Sequence, residues 1–223
     1  MNNEPTIHRL AVGKPKKLSY GAGKTMETGI GKTSVKEAYL LKEGFENDGV
    51  ADKKNHGGLE RAVCFYPYEH YDKWEKELGK PLPLPAFGEN ITISNMLEKD
   101  VYIGDIYQVG QTVIQITQGR VPCSTIDRYV EANTLLKRVI ETGLTGYLAK
   151  VIEEGKIEDT SMIKLIQRNK ESISILACNK TYFENKDLKA MYKILSVDAL
   201  SLEWKNRIEK RIRHLERPAR NNN

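Results

Sequence analysis

The chain has 223 residues, 39% hydrophobic and 29% charged, a size for one compact domain with an appendage or for two small ones. It contains no run of eighteen apolar residues, and its polar start, Met1-Asn2-Asn3-Glu4-Pro5, lacks the apolar stretch of a signal peptide, so no membrane partner is expected and cytoplasm is the expected location. Seven Lys/Arg against three Glu between Glu203 and Arg220 account for most of the net charge of +5; the rest is almost neutral, which is not the pattern of a general nucleic-acid binder.

In chain order, Ile7 to Val12 reads as a short strand, followed by two glycine-rich turns from Gly13 to Gly31. Val35 to Phe45 reads as extended, and residues 49–58 as a polar loop containing Asp52, Asn55 and His56. Pro67 to Leu78 is a predicted helix, with proline near its start, Gly79 after its end, and Tyr71, Trp74 and Leu78 on one face. After a proline-rich loop, Pro81 to Pro85, come strands at Asn90 to Ile93, Val101 to Ile103, Ile106 to Val109 and Thr112 to Thr117, with turns at Gly104-Asp105 and Gly110-Gln111. Ile126 to Thr142 reads as one helix ended by Gly143, and Tyr147 to Ile152 and Met162 to Gln167 close the strand-rich region. Short, closely spaced strands favour a barrel or sandwich over a parallel α/β sheet.

Beyond Arg168 the texture changes. Residues 172–216 carry almost no glycine or proline and have helical spacing, as in Trp204, Ile208, Ile212 and Leu215, with Ser201 placed to cap the last helix. The expected division is residues 1–170 as the strand-rich domain, 171–217 as a small helical unit and 218–223 as a disordered tail.

The two Gly-Lys-Thr triplets, at Gly23 and Gly31, do not make P-loops, because the glycine needed five positions upstream is Leu18 or Met26. Three cysteines without a CxxC pair exclude a disulfide framework or a structural zinc site. Cys64 and Cys178 lie in apolar runs and read as core, and His8, His70 and His214 have no metal-ligand spacing.

Four segments carry polar chemistry. Asp52-Lys53-Lys54-Asn55-His56-Gly57-Gly58 is a loop whose paired glycines permit close backbone approach, and it runs into Glu60-Arg61-Ala62-Val63. Phe87-Gly88-Glu89-Asn90 puts an acid and an amide at the mouth of a strand. Val101 to Gly110 reads as paired strands, and Gln118-Gly119-Arg120-Val121-Pro122-Cys123 sets a thiol between a strand and a helix. A thiol near a helix start and beside arginine is favoured as the thiolate, a nucleophile or metal ligand. Each has a bland alternative: His56 bonding its own loop, Arg61 and Arg120 ion-paired or solvated, Cys123 a small buried apolar group.

The order of these motifs, HGG with Arg-Ala-Val, FGEN, a Gly-Asp strand pair and Arg-x-Pro-Cys, resembles the MOSC domain found at the C-terminus of molybdenum cofactor sulfurases. The resemblance is to stand-alone bacterial members with a C-terminal three-helix unit, and it spans residues 8–213. Thr28 to Thr33 resembles the basic segment before the family's first long strand, and Gly146 to Gly155 its late strand. It implies an α+β, strand-rich fold: a MOSC-type β-barrel with peripheral helices, a small C-terminal helical unit and a pocket for the molybdenum cofactor, a molybdopterin. Cys123 would ligate molybdenum or carry sulfur as a persulfide. Cofactor binding would fall to Lys32, Thr33, His56, Gly57, Gly58, Arg61, Asn90 and Arg120, with Lys32, Arg61 and Arg120 holding the pterin phosphate. Thiolate suits a sulfur-rich metal centre, and arginine and lysine suit a phosphate. The chain departs from the family at Gly119, where proline is usual, at Ala86 before the FGEN segment, and at Lys150 for an arginine.

Three functions follow. The first is reduction of small N-hydroxylated compounds or bases, with electrons from a separate reductase because the chain has neither a ferredoxin cysteine pattern nor a dinucleotide fingerprint. The second is sulfur transfer from a Cys123 persulfide, supplied by a separate donor protein, since the chain is too short to include the pyridoxal-phosphate desulfurase; no pyridoxal phosphate is expected in it. The third is a non-catalytic binding module using the basic C-terminal helix, with nucleic acid the less favoured partner. A homodimer through the helical appendage is compatible with the sequence and required by none of its features.

Overall fold

Alternation of apolar and polar residues builds the sheet that organises the chain. The computed structural model describes residues 4–52, 57–168, 172–184 and 186–216. Its strands are β1 (Thr6–Val12), β2 (Lys16–Tyr20), β3 (Lys24–Thr28), β4 (Thr33–Ser34), β5 (Glu37–Leu41), β6 (Gly44–Phe45), β7 (Val63–Pro67), β8 (Ile91–Ser94), β9 (Ile106–Val109), β10 (Thr112–Gly119), β11 (Tyr147–Glu153), β12 (Gly155–Glu158) and β13 (Ile163–Gln167). The α-helices among the described residues are α1 (Glu69–Leu78), α2 (Thr125–Val130), α3 (Leu135–Thr142), α4 (Ile175–Phe183), α5 (Leu188–Leu195) and α6 (Leu202–Leu215), with a 3-10 turn at Leu59–Arg61.

Eight strands form one sheet in the order β13-β9-β10-β11-β7-β8-β1-β4, which curls as a half-barrel; β12-β5-β6 form a second, three-stranded sheet. The fold is thus α+β and strand-rich, as the sequence implies. Neighbouring strands of the large sheet are antiparallel except β7 and β8, which pair in parallel, Phe65 opposite Ile91. A parallel pair needs a crossover, and α1 with the proline-rich loop supplies it.

One face of the sheet carries an apolar cluster including Leu10, Val63, Phe65, Ile93, Ile114, Ile116 and Tyr147. Ile175, Cys178, Met191, Ile194, Trp204, Ile208 and Ile212 of the C-terminal helices belong to the same cluster. The other face carries a second cluster, with Tyr66, Tyr71, Trp74, Phe87, Ile126, Val130 and Val139, under α1, α2 and α3. Residues of β7 divide between the two: Val63 and Phe65 point one way, Cys64 and Tyr66 the other.

Several expectations change. The turns between Gly13 and Gly31 enclose the hairpin β2–β3, in which Gly23 closes the turn and Lys24-Thr25 begin β3; no helix follows either Gly-Lys-Thr, so neither cradles a phosphate in P-loop fashion. Pro67 ends β7, and α1 starts at Glu69. Val101 to Ile103 is not a strand: Tyr102 makes an isolated bridge with Ser174, and β9 pairs with β10 instead. The predicted helix over residues 126–142 is two. Glu131 adopts a left-handed conformation (φ 51°), Lys80 Nζ caps the carbonyls of Val130 (2.6 Å) and Glu131 (3.0 Å), and Asp127 accepts from Leu136 N (2.7 Å) at the start of α3. Ser201 caps α6 as expected, accepting from Trp204 N at 3.2 Å. The proposed boundary at 170 and the tail 218–223 lie outside the described residues.

Candidate functional site

The Lys32, Asp48, Asn90, Cys64 and Arg120 neighbourhood lies where the outward side of β7 meets three loops. Asn90, just before β8, is fixed by the backbone: its N–H donates to Cys64 O (2.8 Å), and its carbonyl accepts from Ala11 N (2.8 Å). Its amide side chain accepts from Cys64 N (3.1 Å) and donates to Asp48 Oδ2 (2.8 Å). Asp48 also accepts from Gly13 N (2.8 Å) and forms an ion pair with Lys32 Nζ. The Lys32 side chain is only 4% exposed, so this pairing is what permits its ammonium to sit there. Asp48 was not among the sequence candidates; the signal for it is that a buried lysine requires a counter-charge.

The acid of the FGEN segment has another role. Glu89 is fully buried and accepts from Tyr71 OH (2.5 Å), Thr92 Oγ1 (2.8 Å) and Phe87 N (3.0 Å). Burial raises its carboxyl above the ordinary range, with the Tyr71 bond pulling the other way. Phe87 stacks on Tyr66 with ring centroids 3.8 Å apart. Glu89 therefore clamps the loop that presents Asn90.

Arg120 follows β10, whose pairing with β11 shifts register between Ile116 and Gln118. A bulge re-aims the residues after it, and here Thr117 Oγ1 donates to Glu60 O at 2.6 Å. Gly119 is required by space: a Cβ would lie 1.9 Å from Asn179 Oδ1 of α4. The helical unit thus occupies the room that the family's usual proline would need. The backbone N–H of Arg120 donates to Gly146 O (3.0 Å), while its buried Nη1 has no hydrogen-bond partner among the described residues. Buried donors are normally satisfied, so this nitrogen is a donor left over by the fold.

Cys123 is half-buried in the loop between β10 and α2, its carbonyl accepting from Ile126 N at 3.2 Å. Cys178 is core, as expected, but Cys64 is half-buried and lies on the outward side of β7. Burial pushes the Cys64 thiol up to about 11, while Arg120 and Lys32 pull it down and Glu89 and Asp48 push it up. In the folded protein, alkylation of Cys64 should therefore climb only as pH approaches 11, being about 100-fold slower near pH 8 than for an ordinary thiol. Peptide-resolved mass spectrometry across pH 7–11 checks this, and a midpoint near 8.5 would contradict it.

Among the remaining candidates, Arg61 turns to the C-terminal helices: Nη1 pairs with Glu203 Oε2 at 2.6 Å and Nη2 donates to Gly57 O. Gly58 adopts φ 119° and its carbonyl accepts from Arg61 N (2.9 Å). Thr33 is exposed on β4, opposite Val12. His56 lies outside the described residues, as do Lys53, Lys54 and Asn55. His70 is buried against Glu98, Nε2 to Oε2 2.7 Å, and His8 stacks on Tyr68. Among the described residues, no group of three or more His, Cys, Asp or Glu is arranged to hold a metal by itself.

Residues 52–164, which carry Cys64, Glu89, Asn90, Arg120 and Cys123 and begin after Lys32 and Asp48, match the MOSC domain model. The chain belongs to the MOSC family. It is 41% identical over 202 residues to the uncharacterized protein YflK of Bacillus subtilis (strain 168), covering 90% of this chain and 91% of that one. The crystal structure of YiiM from Geobacillus stearothermophilus superposes with a TM-score of 0.78 at 33% identity, covering 93% of this chain and 98% of that one. A protein named reductase from Gibberella moniliformis is 36% identical over 126 residues, 54% of this chain and 22% of that protein. No described helix of this MOSC protein is long and apolar enough to cross a membrane.

Proposed function

We propose that the chain binds the molybdenum cofactor beside Arg120 and reduces small N-hydroxylated compounds, with electrons from a separate reductase. The observation that carries this reading is the buried, unpartnered Nη1 of Arg120 beside a nearly buried Lys32, a donor pair suited to a phosphate. A relative named reductase, 36% identical over 126 residues, supports the reaction class.

The residues fit the group in a definite division of labour. Arg120 donates to the phosphate through Nη1, and Lys32 supplies a second positive charge. Asp48 and Asn90 fix the Lys32 ammonium and the loop at Gly13. Cys123 offers its thiolate as the soft ligand. Cys64 keeps its proton in the neutral range, so it does not compete for that role. The cofactor, when bound, supplies the two-electron removal of the hydroxyl oxygen. Overall, R–NHOH, two electrons and two protons give R–NH2 and water; the N–O bond breaks and the oxygen leaves as water.

Protein produced in a cofactor-competent host, with reduced viologen as electron donor, should convert an N-hydroxylated purine to the amine. Cys123→Ser should reduce the rate at least 100-fold. Metal-loaded wild-type protein that produces no amine would overturn the reaction.

A further inference from the structure

The basic C-terminal helix has no role in the reading above, yet it borders a groove of about 580 Å³, within the range of small-molecule sites. We propose that this groove binds the phosphate of the substrate, so that the substrate class is N-hydroxylated nucleotides rather than free bases. This rests on the reduction proposed above.

The wall along α6 is built from rows one turn apart, Glu203–Arg207–Arg211 and Lys210–His214, with Tyr182 of α4 beside them. Glu203 is neutralised twice: Arg61 Nη1 lies 2.6 Å from Oε2, and Arg207 Nη2 lies 2.7 Å from Oε1. Lys210 is exposed and has no ion-pair or hydrogen-bond partner among the described residues. The groove is therefore positive. Arg and Lys donors around a small concavity suit a phosphate, which accepts through several oxygens. Tyr182 adds an aromatic wall held in place by Trp204, at 5.2 Å between centroids, and by Arg211, at 5.8 Å from its ring.

The groove is also joined to the cofactor neighbourhood. Glu203 lines it and grips Arg61, whose other nitrogen holds Gly57 O. Gln118, 1% exposed, reaches Glu203 Oε2 at 3.5 Å, and its buried Oε1 has no partner among the described residues. Arg120 is two residues further, about 7 Å along an extended chain. A chain of contacts from Glu203 through Gln118 thus connects the groove to the 118–120 segment.

Calorimetric titration of the full chain with an N-hydroxylated adenine, its 5′-monophosphate and inorganic pyrophosphate, at one ionic strength, tests this. The monophosphate should bind at least tenfold more tightly than the base, pyrophosphate should compete with it, and Lys210→Glu should erase the advantage. Lys210 is exposed, so a melting curve matching wild type confirms that the variant is folded. Equal affinity for base and nucleotide, or an advantage that survives Lys210→Glu, would overturn the proposal. Binding of single-stranded DNA without mononucleotide binding would overturn it in favour of a nucleic-acid surface. Because binding is read without turnover, nucleotide binding without amine production would refute the reaction and leave the groove standing.

Discussion

Replacing Trp204 by alanine is expected to destabilise the whole chain by about 3–5 kcal/mol, in a single transition. Trp204 is fully buried and belongs to the same apolar cluster as Phe65, Ile114 and Tyr147 of the sheet. Its helix is pinned to the half-barrel by Ser201 N to Thr117 O (3.2 Å) and Leu202 N to Glu60 Oε2 (3.0 Å), and Arg61 grips its first turn. A cavity at this junction loosens both parts at once. Far-ultraviolet circular dichroism and tyrosine fluorescence during urea unfolding should report one shifted midpoint. Two separated transitions, with that of the sheet unmoved, would show that the helical unit folds on its own.

Arg120→Met should act in opposite directions on the fold and on the cofactor. Leaving a buried donor unsatisfied costs about 1–3 kcal/mol, so the cofactor-free variant should be more stable than wild type by up to that amount. The corresponding rise in Tm is about 2–4 °C per kcal/mol. Hydrogen bonds to a charged group contribute about 1.5–3 kcal/mol, so cofactor affinity should fall roughly 10- to 100-fold. Thermal melts of cofactor-free protein and cofactor retention after gel filtration measure the two halves. A variant that loses stability without cofactor would mean that Arg120 supports the fold rather than a ligand.

Those two residues also show what could be read in advance. The helical spacing of Trp204, Ile208 and Ile212 announced a buried stripe, and the Arg-x-Pro-Cys motif, in order after HGG and FGEN, announced the MOSC family. Strands β9 and β10 were legible because alternation and flanking turns agree. The hairpin β2–β3 was not, since its strands offer only Leu18 and Tyr20 in one and Met26 in the other, too few apolar positions for a period to be read. The break between α2 and α3 depends on Lys80, some fifty residues away in sequence, which no local pattern discloses. For the same reason the pairing of Arg61 with Glu203, 142 positions away, shows in no local pattern. Asp48, a lone acid in a loop, became visible only through the buried charge it balances.

The most direct measurement is molybdenum content, with pterin fluorescence after oxidation, on protein from a cofactor-competent host. The account predicts close to one molybdenum and one pterin per chain in wild type. Molybdenum should be lost in Cys123→Ser, and both should be sharply reduced in Arg120→Met. Wild-type protein free of both, with a cyanide-labile sulfur on Cys123, would contradict it and make the chain a sulfur carrier.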